Sequence, residues 1–236
     1  MTKMIDTRIN GKWNIVLPEH RSLRPEWDIK KGGWERERLL HMSKHLDKSD
    51  TVFYIGAEEA DMCALVAKWG AKLVMFEPNE LVMPNIKAIW EANNLNLDDT
   101  FYPCFVSDVT DNYIDPVTVR DIKGEVIHDH GFKELRDPHG IPQLRIDDIV
   151  ERTGIIPTAL SLDIEGSEGR ALRGAEQTLR NHRPKIWLSL HPEFLREQYG
   201  EWGAELRAWI ISLGYKETLI DYPLHEVHIF YERDNA

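Results

Sequence analysis

The sequence predicts an α/β protein with a doubly wound, mostly parallel sheet, and three features of the chain support this fold class. Short runs rich in β-branched and aromatic residues alternate with amphipathic segments of helical spacing, which is typical of consecutive βαβ units. Right-handed crossovers between such units place helices on both faces of the sheet. A short turn at residues 221–223 joins the last two predicted strands, which favours an antiparallel strand at one edge.

The amino-terminal residues predict a β-hairpin ahead of the main domain. Alternating apolar residues flank Asn10-Gly11, and both central residues of such a two-residue turn need positive φ. An irregular polar segment follows, up to Gly33. A chain of 236 residues suits one domain with a sizeable core. We therefore predict a hairpin extension over residues 1–33 and a single domain over residues 34–236.

The remaining elements follow from the spacing of apolar residues and from the turn residues between them. Helices are predicted at about residues 34–46, 62–69, 84–90, 146–153, 168–179 and 202–213. Strands are predicted at about residues 51–55, 72–76, 100–106, 158–163, 185–190, 216–220 and 225–231. The stretch from Ser107 to Pro142 has no clear period.

Composition narrows the classes of function. The chain has 29 Lys and Arg against 40 Asp and Glu, a formal net charge of −11, so a nucleic-acid partner is not expected. No run approaches the roughly 20 apolar residues that cross a bilayer, and the amino terminus lacks the apolar core of a signal peptide. Cys63 and Cys104 are predicted to be buried free thiols. We expect a soluble cytoplasmic protein without a membrane partner.

Candidate functional residues are sought where parallel sheets bind ligands. In doubly wound sheets this is the crevice beyond the carboxyl ends of the strands. Five places in the sequence meet this condition: Tyr54 to Asp61, Glu77 to Asn79, Val106 to Asp108, Asp163 to Glu168, and His191.

The loop after the first strand of the domain favours a positively charged ligand. Gly56 permits a tight turn, but the other glycines of a dinucleotide fingerprint are missing. Glu58 and Glu59 would repel a pyrophosphate, since like charges about 4 Å apart cost about 4 kcal/mol at an effective dielectric near 20. The sulfonium and ammonium of S-adenosylmethionine (SAM) would not be repelled. Alternatively, both glutamates complement the positive end of the following helix.

Glu77 is the candidate ribose ligand. It closes the next strand, roughly 20 residues after the Gly56 loop, where a carboxylate can accept hydrogen bonds from both ribose hydroxyls of an adenosine cofactor. Pro78 fixes φ after it, and Asn79 can cap the following turn. The alternative is a solvated loop acid.

Two later strand ends supply the candidate catalytic residues. Asp163 and Glu165 are two residues apart, so an extended backbone puts both carboxylates on one side. They could hold a cation, or one could act as a base while the other orients a ligand. His191 could take a proton from a hydroxyl, although a lone histidine is more often structural. Glu168 could instead serve the start of a helix.

Four segments together resemble a known family. The most specific runs from Leu162 to Glu176 and is similar to D-V-E-G-x-E followed by L-x-G-A. Residues 144–149 are similar to T-L-D-D-L, residues 76–79 match F-E-P-N, and His191 matches a histidine after the later strand. The resemblance is to the FkbM family of SAM-dependent methyltransferases, and it spans roughly residues 34–191.

This resemblance implies a class I, Rossmann-like methyltransferase fold and an enzyme that methylates a hydroxyl of a sugar, glycan or related small molecule. Cofactor contacts would come from Tyr54, Gly56, Ala57, Glu58, Glu77, Pro78, Asn79, Ser107 and Asp108. Asp163, Glu165 and His191 would face the acceptor, with Asp163 or His191 as the base. The enzyme must align hydroxyl, methyl and sulfur, and must remove the hydroxyl proton.

Departures from the family pattern keep alternatives open. Where the family has D-V-G-A-N-x-G, Tyr54 replaces the acid, Glu58 the asparagine and Ala60 the second glycine. Ser189 stands where a glutamate is common. One alternative is therefore a degenerate methyltransferase fold that acts as a non-catalytic binding module. Another is a nicotinamide-dependent oxidoreductase, against which the missing glycines and the paired glutamates argue.

The stretch from Val126 to Pro142 carries His128, His130 and His139. It could form a lid on the acceptor side, hold a metal together with Asp163, or be a plain polar loop. The sequence leaves the metal requirement open.

Overall fold

The computed structural model describes residues 3–127, 140–223 and 225–233, so His128, His130 and His139 lie outside the described residues. The strands are β1 (Met4–Ile9), β2 (Trp13–Pro18), β3 (Thr51–Ile55), β4 (Lys72–Phe76), β5 (Thr100–Tyr102), β6 (Phe105–Val106), β7 (Val117–Thr118), β8 (Gln143–Leu144), β9 (Ala159–Leu162), β10 (Lys185–Leu190), β11 (Tyr215–Asp221) and β12 (Val227–Arg233). The helices are α1 (Glu19–Ser22), α2 (Arg36–His45), α3 (Asp61–Lys68), α4 (Met83–Ala92), α5 (Ile146–Thr153), α6 (Glu168–Arg173), α7 (Glu176–Asn181), α8 (Pro192–Tyr199) and α9 (Gly203–Ser212).

The central sheet confirms the predicted doubly wound α/β fold. Among the described residues it has eight strands in the order β11-β12-β10-β9-β3-β4-β5-β7. Strands β10, β9, β3, β4 and β5 pair in parallel. Strand β12 runs antiparallel to both β10 and β11, and β7 runs antiparallel to β5. This is the mixed sheet of a class I, Rossmann-like fold.

The last two strands form an antiparallel pair at one edge of the sheet, as the sequence predicts. Strand β12 lies between β10 and β11, and β11 forms the edge. Residues 227–231 are all buried, whereas β11 is mostly half-buried or exposed. The more apolar strand therefore takes the interior position, because a buried strand needs hydrogen-bond partners on both sides.

Side chains of the sheet alternate between two hydrophobic cores, one on each face. Leu73 and Met75 of β4 enter the first core, which includes side chains of α2, α3, α4 and the hairpin. Val74 and Phe76 enter the second core, which includes side chains of α5 to α9. This alternation, with helices on both faces, is what a central parallel sheet requires.

The amino-terminal hairpin forms as predicted and packs onto the sheet domain. Its register pairs Ile9 with Trp13, and both Asn10 (φ 52) and Gly11 (φ 65) adopt the left-handed conformation that the turn needs. Ile9, Trp13 and other hairpin side chains lie in the first core. The backbone N–H of Val16 donates to the Asn93 side chain beyond α4 at 2.9 Å. The proposed division at residue 33 stays a prediction.

Two predicted elements are each divided in the structure. The predicted strand at residues 100–106 forms β5 and β6, because Pro103 between them has no N–H to donate. The predicted helix at 168–179 forms α6 and α7, and the break falls at Gly174. A Cβ at Gly174 would lie 1.9 Å from the carbonyl oxygen of Ser107, so this close approach requires glycine.

Helix α8 is absent from the prediction because it has little apolar periodicity. Only Leu195 of its eight residues is buried. Within the described residues, no helix combines the length and the apolar content that a membrane crossing requires.

Replacing Gly56 by alanine is expected to lower the free energy of unfolding by about 3 kcal/mol or more. Its φ is +85°, and an added Cβ would lie 1.9 Å from the carbonyl oxygen of Asp163. The matched control is Gly200→Ala, at φ +67° with no atom within 4 Å, which incurs only the left-handed strain of about 1–2 kcal/mol. Urea unfolding of both variants gives the comparison, and equal losses would contradict the steric argument.

Candidate functional site

The carboxyl ends of β3, β4, β9 and β10 lie side by side and carry the candidate residues. Gly56 follows β3, Glu77 follows β4, Asp163 follows β9 and His191 follows β10. The pairing of β3 with β9 places Ile55 opposite Leu162, and the N–H of Asp163 donates to the carbonyl of Ile55 at 3.0 Å. The sheet therefore brings the predicted cofactor side and the predicted acceptor side together.

Glu77 links the turns that follow β3 and β4. Its Oε2 accepts the backbone N–H of Glu58 at 3.0 Å, and its Oε1 accepts the N–H of Asn79 at 3.0 Å. The residue is only 8% exposed. Burial raises the pKa of Glu77 to about 7, against the opposing effect of these two hydrogen bonds. The carboxylate is thus held rigidly at the strand end.

A hollow of about 290 Å³ lies next to this turn. Pro78, Asn79 and Pro103 form part of its wall, and Ile141 and Pro142 form another part. The lining is mostly apolar. Pro78 and Asn79, two of the predicted cofactor residues, therefore border this hollow, and their contact with a cofactor stays a prediction.

The turn after β3 is held by backbone hydrogen bonds and contains two non-glycine residues in the left-handed conformation. The N–H groups of Gly56 and Ala57 both donate to the carbonyl of Phe76 at 3.0 Å. Ala60, which replaces a family glycine, has φ 64, and Glu58 has φ 47. Ala60 thus holds a left-handed backbone, which glycine would adopt without strain, at a cost of about 1–2 kcal/mol.

Tyr54 does not reach this turn with its side chain. The residue is 3% exposed, and its ring lies in the first core. Burial raises the pKa of the Tyr54 hydroxyl well above its ordinary value. The charges of Arg38, Glu35 and Asp163 act on this hydroxyl, so the side chain lies toward the predicted acceptor side.

The acids of this loop are paired with Arg21, a residue that the sequence analysis missed. Arg21 Nε donates to Asp61 at 2.6 Å, and its terminal nitrogens lie 3.1 Å from Glu58 and 3.5 Å from Glu59. Burial lowers the pKa of Arg21, but the charges of these three acids outweigh burial, so its pKa is raised and it stays protonated. Arg21 follows the hairpin in a segment without regular spacing, so no local pattern marks it.

Glu59 points into the protein, contrary to the expectation that it faces a ligand. Its carboxylate is fully buried and lies 2.8 Å from His20 Nε2 and 2.5 Å from Asn85 Nδ2. Glu58 remains half exposed beside Arg21. Of the two glutamates, only Glu58 can present charge at the surface of the loop.

His191 is held at the end of β10 by a buried carboxylate. Its Nδ1 lies 2.7 Å from Oε1 of Glu168, which also accepts the N–H of Gly166 at 3.0 Å. Its Nε2 lies 3.7 Å from Asp163 and 3.5 Å from Glu226. Burial alone would lower the pKa of His191, but the Glu168 hydrogen bond and the surrounding acids raise it to about 9. With those acids ionised, the imidazole is protonated near neutral pH.

Asp163 stands between His191 and a buried arginine. Its Oδ2 lies 3.7 Å from Arg38, which donates to Ser161 at 2.7 Å and also pairs with Glu35. Burial and then the charge of Glu35 raise the pKa of Asp163 to about 7, while Arg38 and His191 oppose them. Arg38 lies on α2, away from the strand ends, so no pattern in the sequence places it here.

Glu226, which the sequence did not reveal, places an acid beside His191. Ser189 is fully buried, whereas Glu226 comes from the turn before β12 and reaches His191. Its carboxylate also lies 3.2 Å from His228 Nε2. Asp163, His191 and Glu226 could together hold a metal ion, since their ligand atoms all lie within 4.8 Å of one another.

The other predicted site residues occupy separate positions. Glu165 is exposed, with φ 47, and does not join the cluster around His191. Ser107 is buried, and its N–H donates to the carbonyl of Leu144 at 2.9 Å. Asp108 accepts a hydrogen bond from Arg170 of α6 at 2.8 Å. Burial raises the pKa of Asp108, but the hydrogen bond and charge of Arg170 outweigh burial, so the pKa of Asp108 is lowered. Their assignment to the adenine stays a prediction.

The fold and the acid-rimmed strand ends define the class I methyltransferase architecture. The model of the FkbM methyltransferase domain matches residues 52–217, most of the chain. The protein belongs to this family.

Solved structures with a similar fold are methyltransferases of low sequence identity. An FkbM methyltransferase from Methylobacillus flagellatus KT is 21% identical with a TM-score of 0.56, over 79% of this chain and 44% of that protein. The chain thus spans less than half of that relative. A protein described as a putative rRNA-methylase from Clostridium thermocellum is 10% identical with a TM-score of 0.51, over 84% of this chain and 93% of its own. A search of curated proteins finds no match.

Replacing Arg21 by methionine is expected to lower the free energy of unfolding by about 3–5 kcal/mol, since it leaves Glu59 and Asp61 buried without the guanidinium that offsets their charge. The control is Arg120→Met, which breaks the exposed pair with Asp98 and should cost less than about 1 kcal/mol. Urea unfolding at neutral pH measures both. A loss at Arg21 no larger than at Arg120 would show that the three acids do not depend on Arg21.

Proposed function

We propose that the protein transfers a methyl group from SAM to a hydroxyl of a sugar, glycan or related small molecule. Membership of the FkbM family supports methyl transfer. The observation that carries the proposal is the rigid Glu77 carboxylate, held by two backbone amides beside the turn after β3. A polar cluster lies across the adjoining strand end, around Asp163 and His191.

The residues present fit the nucleoside half of SAM. Glu77 has lone pairs left for the ribose hydroxyls after accepting its two amides, since each carboxylate oxygen can accept two hydrogen bonds. The hollow beside Pro78 and Asn79 would take the adenine, and the turn from Gly56 to Glu58 would hold the methionine end. When bound, SAM supplies an electrophilic methyl group on a positively charged sulfur. Exposed Glu58 and Glu165 would favour that charge.

Asp163 and His191 would serve the acceptor. A hydroxyl must lose its proton as its oxygen is methylated, and Asp163 is the better placed base. His191 is less suited to that role, because Glu168 occupies its Nδ1 and surrounding acids raise its pKa to about 9. In this proposal His191 stabilises the negative charge near the acceptor oxygen and orients Asp163.

Exposed aromatic side chains beyond β10 support a sugar acceptor. Phe194 is 41% exposed, Tyr199 is 42% and Trp202 is 53%, and all three follow the strand that ends at His191. The Phe194 ring stacks near the His191 ring, with centroids 6.0 Å apart. Aromatic faces of this kind pack against the apolar faces of sugar rings. The proposed partner is thus a small-molecule or glycan acceptor, in the cytoplasm.

A non-catalytic binding module is the second candidate. It is favoured by the three departures in the loop after β3, together with the pairing of Glu58 with Arg21, which reduces the charge available to a sulfonium. Cofactor binding separates the two candidates, because a binding module of this kind has no need for SAM.

Replacing Glu77 by glutamine is expected to weaken SAM binding by about 10–100-fold, because hydrogen bonds to an ionised carboxylate contribute roughly 1.5–3 kcal/mol. Isothermal titration calorimetry with SAM and S-adenosylhomocysteine measures the affinity. Glu91→Gln, an exposed acid of α4, removes the same charge away from the site and should bind normally. Wild-type protein that binds neither compound would refute the cofactor assignment.

Replacing Asp163 by asparagine, or His191 by glutamine, is expected to lower turnover by about 100-fold or more, since removing acid–base groups costs 10²–10⁴-fold. SAM affinity should change by less than about threefold. Release of S-adenosylhomocysteine is measured against a panel of sugars and polyols. Glu193→Gln, an exposed neighbour of His191, is the control. Unchanged turnover in both variants would contradict the acceptor-side assignment.

A further inference from the structure

We propose that Asp163, His191 and Glu226 form a binding site for a divalent transition-metal cation of the Mn²⁺ or Zn²⁺ type. The site lies at the carboxyl edge of the sheet, where β9 and β10 end and the turn before β12 returns. Binding of the cation stands on the geometry of these side chains alone. Only its role toward an acceptor rests on the proposed function.

The distances between the three side chains suit a shared ion. His191 Nε2 lies 3.7 Å from Oδ1 of Asp163 and 3.5 Å from Oε2 of Glu226. All three ligand atoms lie within 4.8 Å of one another. Ligand atoms bound at about 2.0–2.2 Å to one ion stand roughly 3–3.5 Å apart. Small side-chain rotations would therefore bring the three atoms into one coordination sphere.

The orientation of His191 is the second, independent observation. Carboxylate oxygens accept hydrogen bonds, so the 2.7 Å contact with Glu168 holds a proton on Nδ1. Nε2 is then aimed at the space between Asp163 and Glu226. The residue is only 8% exposed, and Nε2 faces the carboxylates of Asp163 at 3.7 Å and Glu226 at 3.5 Å. A carboxylate behind a histidine whose other nitrogen faces the remaining ligands is the usual support of a metal-binding imidazole.

The surrounding charges favour a cation. Asp163, Glu226 and Glu168 place three carboxyl groups around the imidazole, while Arg38 lies 3.7 Å from the far oxygen of Asp163 and the charges of Arg38 and His228 also act on Glu226. An ion at Nε2 would stand in for the proton that otherwise pairs His191 with these acids. Since the cation carries two charges, it offsets the acids more fully than that proton.

The ligand set selects among cations. One imidazole nitrogen with two carboxylates suits Mn²⁺, Co²⁺ or Zn²⁺ better than Ca²⁺ or Mg²⁺, which prefer oxygen ligands alone. Asp163 and Glu226 are partly exposed, so coordination positions remain open toward solvent. An acceptor oxygen bound at such a position would lose its proton more readily, and the ion would then replace His191 in stabilising the negative charge of that oxygen.

Titration with Co²⁺ tests the site, because bound cobalt gives visible absorption that reports its coordination. The experiment uses tag-free full-length protein, stripped with a chelator, without SAM or acceptor. Wild type is expected to bind one equivalent saturably, and Zn²⁺ should displace it. His191→Gln and Glu226→Gln should each weaken binding at least about tenfold, and Glu168→Gln by about 10–100-fold. Glu193→Gln should bind like wild type, and circular dichroism checks the fold of each variant.

Absence of a saturable cobalt signal in wild type would overturn the inference, as would equal binding by wild type and the folded Glu226→Gln variant. If a ligand variant fails to fold, calorimetry of the wild-type protein decides instead. Mn²⁺ should bind with one-to-one stoichiometry, and prior addition of Zn²⁺ should abolish the heat of Mn²⁺ binding. Cobalt binding without SAM binding would leave the site standing while the proposed function fails. SAM binding without cobalt binding would refute this site alone.

Discussion

The contact between the turn after β3 and the end of β9 governs the whole candidate site. Gly56 passes so close to the carbonyl of Asp163 that a Cβ would lie 1.9 Å from its oxygen. The parallel pairing of β3 with β9 fixes this approach, and the N–H of Asp163 closes it by donating to Ile55. Because of this contact, the groups proposed for the cofactor and those proposed for the acceptor occupy one edge at fixed separation. A class I methyltransferase needs that arrangement for an in-line transfer.

Burial is the second constraint, and it shapes the chemistry of two acids at this edge, Glu77 and Asp163. Glu77 and Asp163 both have a pKa raised to about 7, in each case mainly by burial. The backbone amides on Glu77 and the arginine near Asp163 oppose that effect without removing it. His191 shifts the other way because Glu168 and its neighbours more than offset its own burial. The edge therefore concentrates negative charge around one imidazole, which is the basis of both the proposed chemistry and the proposed cation site.

Much of the fold could be predicted from the sequence, because local patterns encode its strands, most of its helices and the hairpin turn. Glu77, Asp163 and His191 could be placed for the same reason, since each directly follows a β-rich run. Arg21 and Arg38 could not, because they reach the site only through tertiary packing, Arg21 from an irregular segment and Arg38 from a helix that does not follow any of the candidate strand ends. Glu226 could not be placed either, because it comes from the turn before β12 and contacts His191 only in the folded structure. The position of β12 also depends on which strand is more deeply buried, which the alternation of elements does not reveal.

The pairing of Arg21 with Glu58, Glu59 and Asp61 makes two distant stretches of the chain inseparable in any redesign. Replacing this loop by the common FkbM loop would leave the Arg21 guanidinium buried without its acidic partners. Transferring this loop into a relative would bury acids that have no counter-charge there. Homologue chimeras must therefore exchange the segment after the hairpin together with the turn after β3. The amino-terminal extension therefore supplies the arginine that neutralises the acids of the turn after β3.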